Sequence, residues 1–155
     1  MPMHAFPAAL AASTTALAML CASAAAHAEL GGAMPDQPDS TASAPRRTLL
    51  NGALRVRTLT DAGTTTINEY ATSTGQIIAY AWQGPTMPDL RTLLGKHADS
   101  YQAGVAAAPS DGNLHVSRVA RPDVIVESGG PMRGYAGRAW LPAALPAGIS
   151  ADDFQ

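Results

Sequence analysis

The sequence predicts an α+β domain: an antiparallel β-meander sheet with one amphipathic helix packed on it, preceded by a cleaved signal peptide and a disordered leader. Three observations carry this reading. Apolar and β-branched residues alternate with period two between residues 54 and 83, helical spacing occurs once, after residue 86, and period two returns between residues 114 and 141. Short turns rich in Gly, Ser and Asp suit antiparallel pairing of sequence neighbours, and a helix with one apolar face has the sheet to lie on.

Residues 1–28 read as an export signal. An Ala-rich apolar run ends in Ala26-His27-Ala28, small at both positions that a signal peptidase reads, so the cut is placed after Ala28. A permanent anchor is the competing reading, but Ser13, Thr14, Thr15 and Ser23 interrupt the run, which barely reaches spanning length. Lipidation at Cys21 is disfavoured by the bulky Leu20 before it. Processing at Ala28 removes the single cysteine, so the exported form has neither a disulfide nor thiolate chemistry. The expected location is the periplasm or the extracellular medium, with no stable membrane span.

Residues 29–47, "ELGGAMPDQPDSTASAPRR", have no apolar periodicity and are expected to form a flexible leader. The single α+β domain follows over residues 48–150. Residues 54–60, "LRVRTLT", and 64–72, "TTTINEYAT", predict a hairpin across "DAG". After the turn at residues 73–75, "QIIAYAWQ" predicts a third strand with Ile78, Tyr80 and Trp82 on one face and Ile77, Ala79 and Ala81 on the other. Thr86, followed by Pro88 and Asp89, predicts a helix start with Thr86 as cap. Leu90, Leu93, Leu94, His97, Tyr101 and Val105 then share a face, and the helix ends before Pro109. Strands follow at residues 114–120, 124–126 and 132–141, the last with small interior residues that let another element approach closely. Residues 151–155 are expected as a C-terminal tail.

Composition narrows the function. The 155 residues, 46% hydrophobic and 14% charged, leave room for one domain, and a net charge of −2 provides no electrostatic footprint for nucleic acid. Neither a phosphate-cradling glycine loop nor a zinc spacing occurs, so no cofactor and no metal are expected. His97 falls on the apolar helix face, where a hydrogen-bonded structural histidine is commoner than a ligand. The nearest approach to a nucleophile motif is Ser128 in "ESGG". Val126 replaces the first glycine of a nucleophile elbow, Pro131 blocks a following helix, and two glycines already explain the turn.

Two functional classes stay open. One is a non-enzymatic binding or structural module of the cell envelope, taking an envelope protein, a peptide or a glycan, with Tyr80, Trp82, Tyr135, Arg138 and Trp140 as ligand-binding candidates. The other is a small cofactor-independent hydrolase using Ser128 with His115 or His97. That reading requires at least three of Asp89, His97, His115, Glu127 and Ser128 to converge in one cleft.

Four stretches carry a resemblance: "LGG" at residues 30–32, "AWQGPTMPDLRTLLG" at 81–95, "IVESGGPMRGYAGRAWLP" at 125–142 and "LPAGISADD" at 145–153. In that order and spacing the chain resembles an uncharacterised family of bacterial exported proteins, domain of unknown function 2844. The resemblance implies export and one domain, and assigns no catalytic residue.

Overall fold

β-branched and aromatic residues at alternate positions build the central strands. The computed structural model describes residues 28–35, 46–109, 116–130 and 134–155. Most of the expected signal, the middle of the expected leader and His115 lie outside the described residues. Among the described residues seven strands form one antiparallel sheet: β1 (Arg46–Leu49), β2 (Leu54–Thr60), β3 (Thr66–Thr72), β4 (Ile77–Gly84), β5 (Val116–Ala120), β6 (Ile125–Gly129) and β7 (Tyr135–Trp140). The spatial order is β1-β2-β3-β4-β7-β6-β5. The first four strands form a meander. After the helical segment the chain returns at the far edge and meanders back, until β7 pairs with β4 from Ala79↔Trp140 to Gly84↔Tyr135.

The helical segment crosses one face as α1 (Leu90–Leu94), a 3₁₀ turn (Gly95–His97) and α2 (Ala98–Ala107). Its cap is Asp89, not the expected Thr86. Asp89 Oδ1 accepts from the amides of Arg91 and Thr92 at 3.0 and 3.3 Å, while Thr86 Oγ1 is turned to the Gly63 carbonyl and the Thr65 hydroxyl. Thr86 lies too early in the chain because Pro85 to Pro88 continue as an irregular connection. The helix breaks at Gly95, whose φ of 52° belongs to the left-handed region and whose missing side chain leaves room for Glu29. Of the predicted apolar face, Leu94 is fully buried, Leu90, Leu93 and Tyr101 are half-buried, and Val105 is exposed.

The sheet is covered on both faces. The helical face holds Leu30, Ile67, Ile77, Tyr80, Trp82, Leu94, Val124 and Val126. The opposite face holds Leu54, Val56, Tyr70, Ile78, Ala79, Trp140, Ile149 and Phe154. Strand β4 therefore departs from the expected alternation. Its register against β3 skips a residue between Tyr70↔Ala79 and Ala71↔Ile77, and Ile78 at this bulge packs with Ala79 and Ala81 instead of Tyr80 and Trp82.

Packing corrects one further expectation and adds detail to another. The stretch from Glu29 to Arg47, expected as a flexible leader, begins as core. Leu30 is fully buried, and the amides of Leu30, Gly31 and Met34 donate to the carbonyls of Leu93, Ile77 and Gly75 at 2.8–2.9 Å. Two apolar side chains, backbone hydrogen bonds to the helix and to Gly75 and Ile77, and an isolated bridge from Ala33 to Gln76 fix a stretch whose composition alone reads as loop. Residues 46–47 likewise belong to β1. At the other end, the C-terminal tail begins with a 3₁₀ turn at Ala151–Asp153, boxed by Ser150 and Asp153, and Phe154 after it is buried on the opposite face against Tyr70.

Candidate functional site

The five ligand-binding candidates are divided by the sheet. Tyr80 and Trp82 project to the helical face and are 1% and 3% exposed, whereas Trp140 is buried on the opposite face. A Cβ at Gly137 would collide with the Trp82 indole, so that glycine leaves the room for the ring beside β7. Arg138 sits over Trp140, its guanidinium carbon 5.5 Å from the ring centroid. Tyr135 is exposed. Arg138 and Trp140 are thus brought together, and the five do not form one outward surface. The tryptophans serve the two cores.

The hydrolase candidates are also apart. Asp89 caps the helix. His97 Nδ1 lies 2.8 Å from Asp123 Oδ2, and Ser100 Oγ donates to Asp123 Oδ1 at 2.6 Å, tying the helix to the β5–β6 turn. Burial, which raises the Asp123 pKa, is outweighed by the hydrogen bonds from Ser100 and His97, which hold it below the ordinary value. Ser128 lies five residues further along the strand direction, about 16 Å at the rise of an extended chain. Glu127 and Ser128 point to opposite faces of β6. Among the described members of the set no three converge.

What the opposite face does present is a shallow groove. The segment after β7 covers only part of that face and leaves the end carrying Val116, Arg118, Gly129 and Ala136 open. There a groove of about 440 Å³ is lined by these residues with Glu127, Ser128, Gly137 and Arg138, so two of the hydrolase candidates, Glu127 and Ser128, border it. A second depression of about 410 Å³, lined by Thr66, Asn68, Gln83 and Gln155 among others, shares Ala136 and Gly137 with it. Small residues form the floor. Charged residues form one wall, where Glu127 pairs with Arg118 at 3.1 Å and with Arg138 Nε at 2.8 Å, and Arg138 reaches the Ala151 carbonyl and Asp152. Desolvation works against the charge of Arg138, but Glu127 and Asp152 together hold its pKa above the ordinary value.

The groove crosses one end of β7, β6 and β5, and β5, the sheet's last strand, pairs only with β6 among the described strands. The hydrogen bond from the Arg121 amide to the Val124 carbonyl fixes the phase of that ladder. Counting back from it, Val119 and Ser117 exchange hydrogen bonds with β6, while the N–H and C=O groups of Ala120, Arg118 and Val116 face away from the sheet. The sequence signals for this site were weak. Arg118 and Glu127 are ordinary strand charges until the register sets them opposite each other.

Beneath the helical face lies a polar group that no local sequence pattern marks. Arg57, Glu69 and Tyr80 come from three adjacent strands, and all are buried. Arg57 Nη2 donates to Glu69 Oε2 at 3.1 Å, and the Tyr80 hydroxyl lies 3.2 Å from the same oxygen and 2.5 Å from the Ala28 carbonyl. Burial pushes the Glu69 carboxyl up, against the opposing pull of Arg57. It also pushes the Tyr80 hydroxyl well above the usual phenol value, with Glu69 adding to the shift.

Among the described residues no helix is long and apolar enough to cross a membrane. No curated protein and no solved structure matches the chain. One family, described as "Protein of unknown function (DUF2844)", has a sequence model that matches residues 26–154. Since that match spans nearly the whole chain, the protein belongs to the DUF2844 family.

Proposed function

We propose that this is an exported recognition module of the cell envelope, without turnover of its own, that takes an extended segment of a partner polypeptide along the open edge of β5. The outward amides and carbonyls of Val116, Arg118 and Ala120 beside the groove carry this reading. An added strand finds main-chain partners there, and its alternate side chains stand beside Val116 and Arg118 where the groove opens, with the Glu127–Arg138 pair further in. The other sheet edge, β1, is four residues long and begins with two arginines, a composition that opposes strand addition. A glycan is the weaker occupant, because it favours exposed aromatic platforms and the tryptophans are buried. Export rests on the apolar run ending in Ala26-His27-Ala28 and puts the module in the periplasm or outside the cell.

Ala120→Pro tests the reading. Residue 120 does not donate to β6, so proline there removes an outward amide and leaves the ladder intact. Capture from envelope extract should yield a polypeptide that wild type retains and Ala120→Pro loses at an unchanged denaturation midpoint. On binding, hydrogen exchange at Val116 and Arg118 should slow. Equal retention by the folded variant would overturn the edge, and a hydrolytic activity lost with Ser128→Ala or His115→Ala would overturn the assignment as a binding module.

A further inference from the structure

The Arg57–Glu69–Tyr80 group ends at the Ala28 carbonyl, the last residue of the expected signal. We propose that the Tyr80 hydroxyl and the Glu69 carboxylate form a preformed socket for the α-ammonium group that appears on Glu29 when the signal is removed. The inference rests on the export reading above, with cleavage after Ala28.

Cleavage is hydrolysis of the Ala28–Glu29 amide by an envelope peptidase with water as co-reactant. The carboxylate leaves with Ala28, and the amine stays on Glu29 and takes a proton near neutral pH. The carbonyl that Tyr80 holds is lost in this step. The nitrogen left behind lay about 2.3 Å from that oxygen across the peptide bond. The new ammonium therefore starts within about 5 Å of the Tyr80 hydroxyl.

Three observations make the site a socket. First, Glu29 is held in place by the residues after it and by the helix. Leu30 is fully buried and donates to Leu93, the Gly32 amide donates to the Glu29 carbonyl at 2.8 Å, and the Glu29 side chain fills the space over Gly95. Second, the buried Glu69 carboxylate is under-satisfied behind Tyr80, because its Oε1 pairs with Arg57 Nη2 at 3.0 Å but takes no aligned hydrogen bond, which leaves Oε2 to accept from Tyr80. Third, Tyr80 has one proton shared between two acceptors. With Ala28 gone it donates to Glu69 and accepts from the ammonium, giving a chain from Glu29 N through Tyr80 to Glu69. Arg46 and Arg57 are the cations facing Glu69, and the Glu29 carboxylate lies on the Tyr80 side. The recognised chemistry is a free N-terminal amine, so the folded state senses that processing is complete.

The test uses the full chain produced in an exporting host, purified from periplasm or medium. Intact mass comes first: a mass other than that of residues 29–155 overturns the export reading and the socket with it. On correctly cut protein, the pH dependence of acylation at Glu29 is read by mass spectrometry of the N-terminal peptide, with Lys96 as internal reference. In wild type the amine should titrate at least about one pH unit higher than in Glu69→Gln, with tenfold slower acylation between the two midpoints. Tyr80→Phe, which keeps the ring, should show the same loss. Correctly cut wild type and Glu69→Gln that titrate together would overturn the socket and leave the export reading standing.

Discussion

The rings of Tyr70 and Phe154 pack with centroids 4.9 Å apart and planes tilted by 57°. The Tyr70 hydroxyl also donates to the Gln155 main-chain oxygen at 2.6 Å and accepts from the Gln155 amide at 3.0 Å. One side chain of β3 thus secures the segment that covers the sheet opposite the helix. Phe154→Ala should lower stability by about 3–5 kcal/mol, the range for removing a buried phenyl ring. Tyr70→Phe, which keeps the ring, should cost about 1 kcal/mol. Denaturant midpoints of the two variants check the ranking, and equal midpoints would show that the covering segment contributes little.

Along the helical segment, stability should follow position relative to the sheet. Leu94 is fully buried and Val105 is 44% exposed, although the sequence sets them on one face. Leu94→Ala should cost about 2–5 kcal/mol. Val105→Ala should stay within about 0.5 kcal/mol of wild type. Thermal melts of both separate them.

Asp89, not Thr86, should carry the cap. Asp89→Ala removes the acceptor of the Arg91 and Thr92 amides and should cost about 1 kcal/mol, with Asp89→Asn largely retaining it. Hydrogen bonds from Thr92 hold the Asp89 carboxyl below its ordinary value, so its contribution is present above the unfolded pKa and fades as pH falls through the lower folded value. Urea midpoints at neutral and acidic pH should show the Asp89→Asn difference shrinking on the acid side.

Glu69 has the opposite sign. In protein that keeps Ala28, the buried carboxyl holds its proton more tightly than the unfolded chain does. Stability attributable to it therefore falls as pH rises from 4.5 towards the higher folded value. Glu69→Gln should flatten that slope in denaturant titrations across the window. An unchanged slope would show that Arg57 already neutralises the cost of burial.

Strand and helix placement was legible because alternation and helical spacing are local. The rest is set by distant partners. "LGGAM" has loop composition, and only its backbone bonds to Leu93, Gly75 and Ile77 make Leu30 and Met34 core. Ile78 fits the alternation in sequence, and the bulge against β3 moves it across the sheet. At the candidate sites, Trp82 and Trp140 are visible as large rings near strand ends, but nothing local says which face of which strand is covered. Arg57, Glu69 and Tyr80 belong to three strands and become one group only through register.

The order β1-β2-β3-β4-β7-β6-β5 gives the sheet a seam. Each side of it is contiguous in sequence and pairs only with its own neighbours, so each can assemble from short-range contacts. The two halves meet through the six residue pairs of β4 and β7. Joining them is the step that closes a long loop, and it is the entropically slow one. The chain leaving β7 then crosses back to Tyr70 on β3, so the last segment is a strap buckled over the join. Fraying of that strap is therefore expected to loosen the contact between halves before either half loses its own strands.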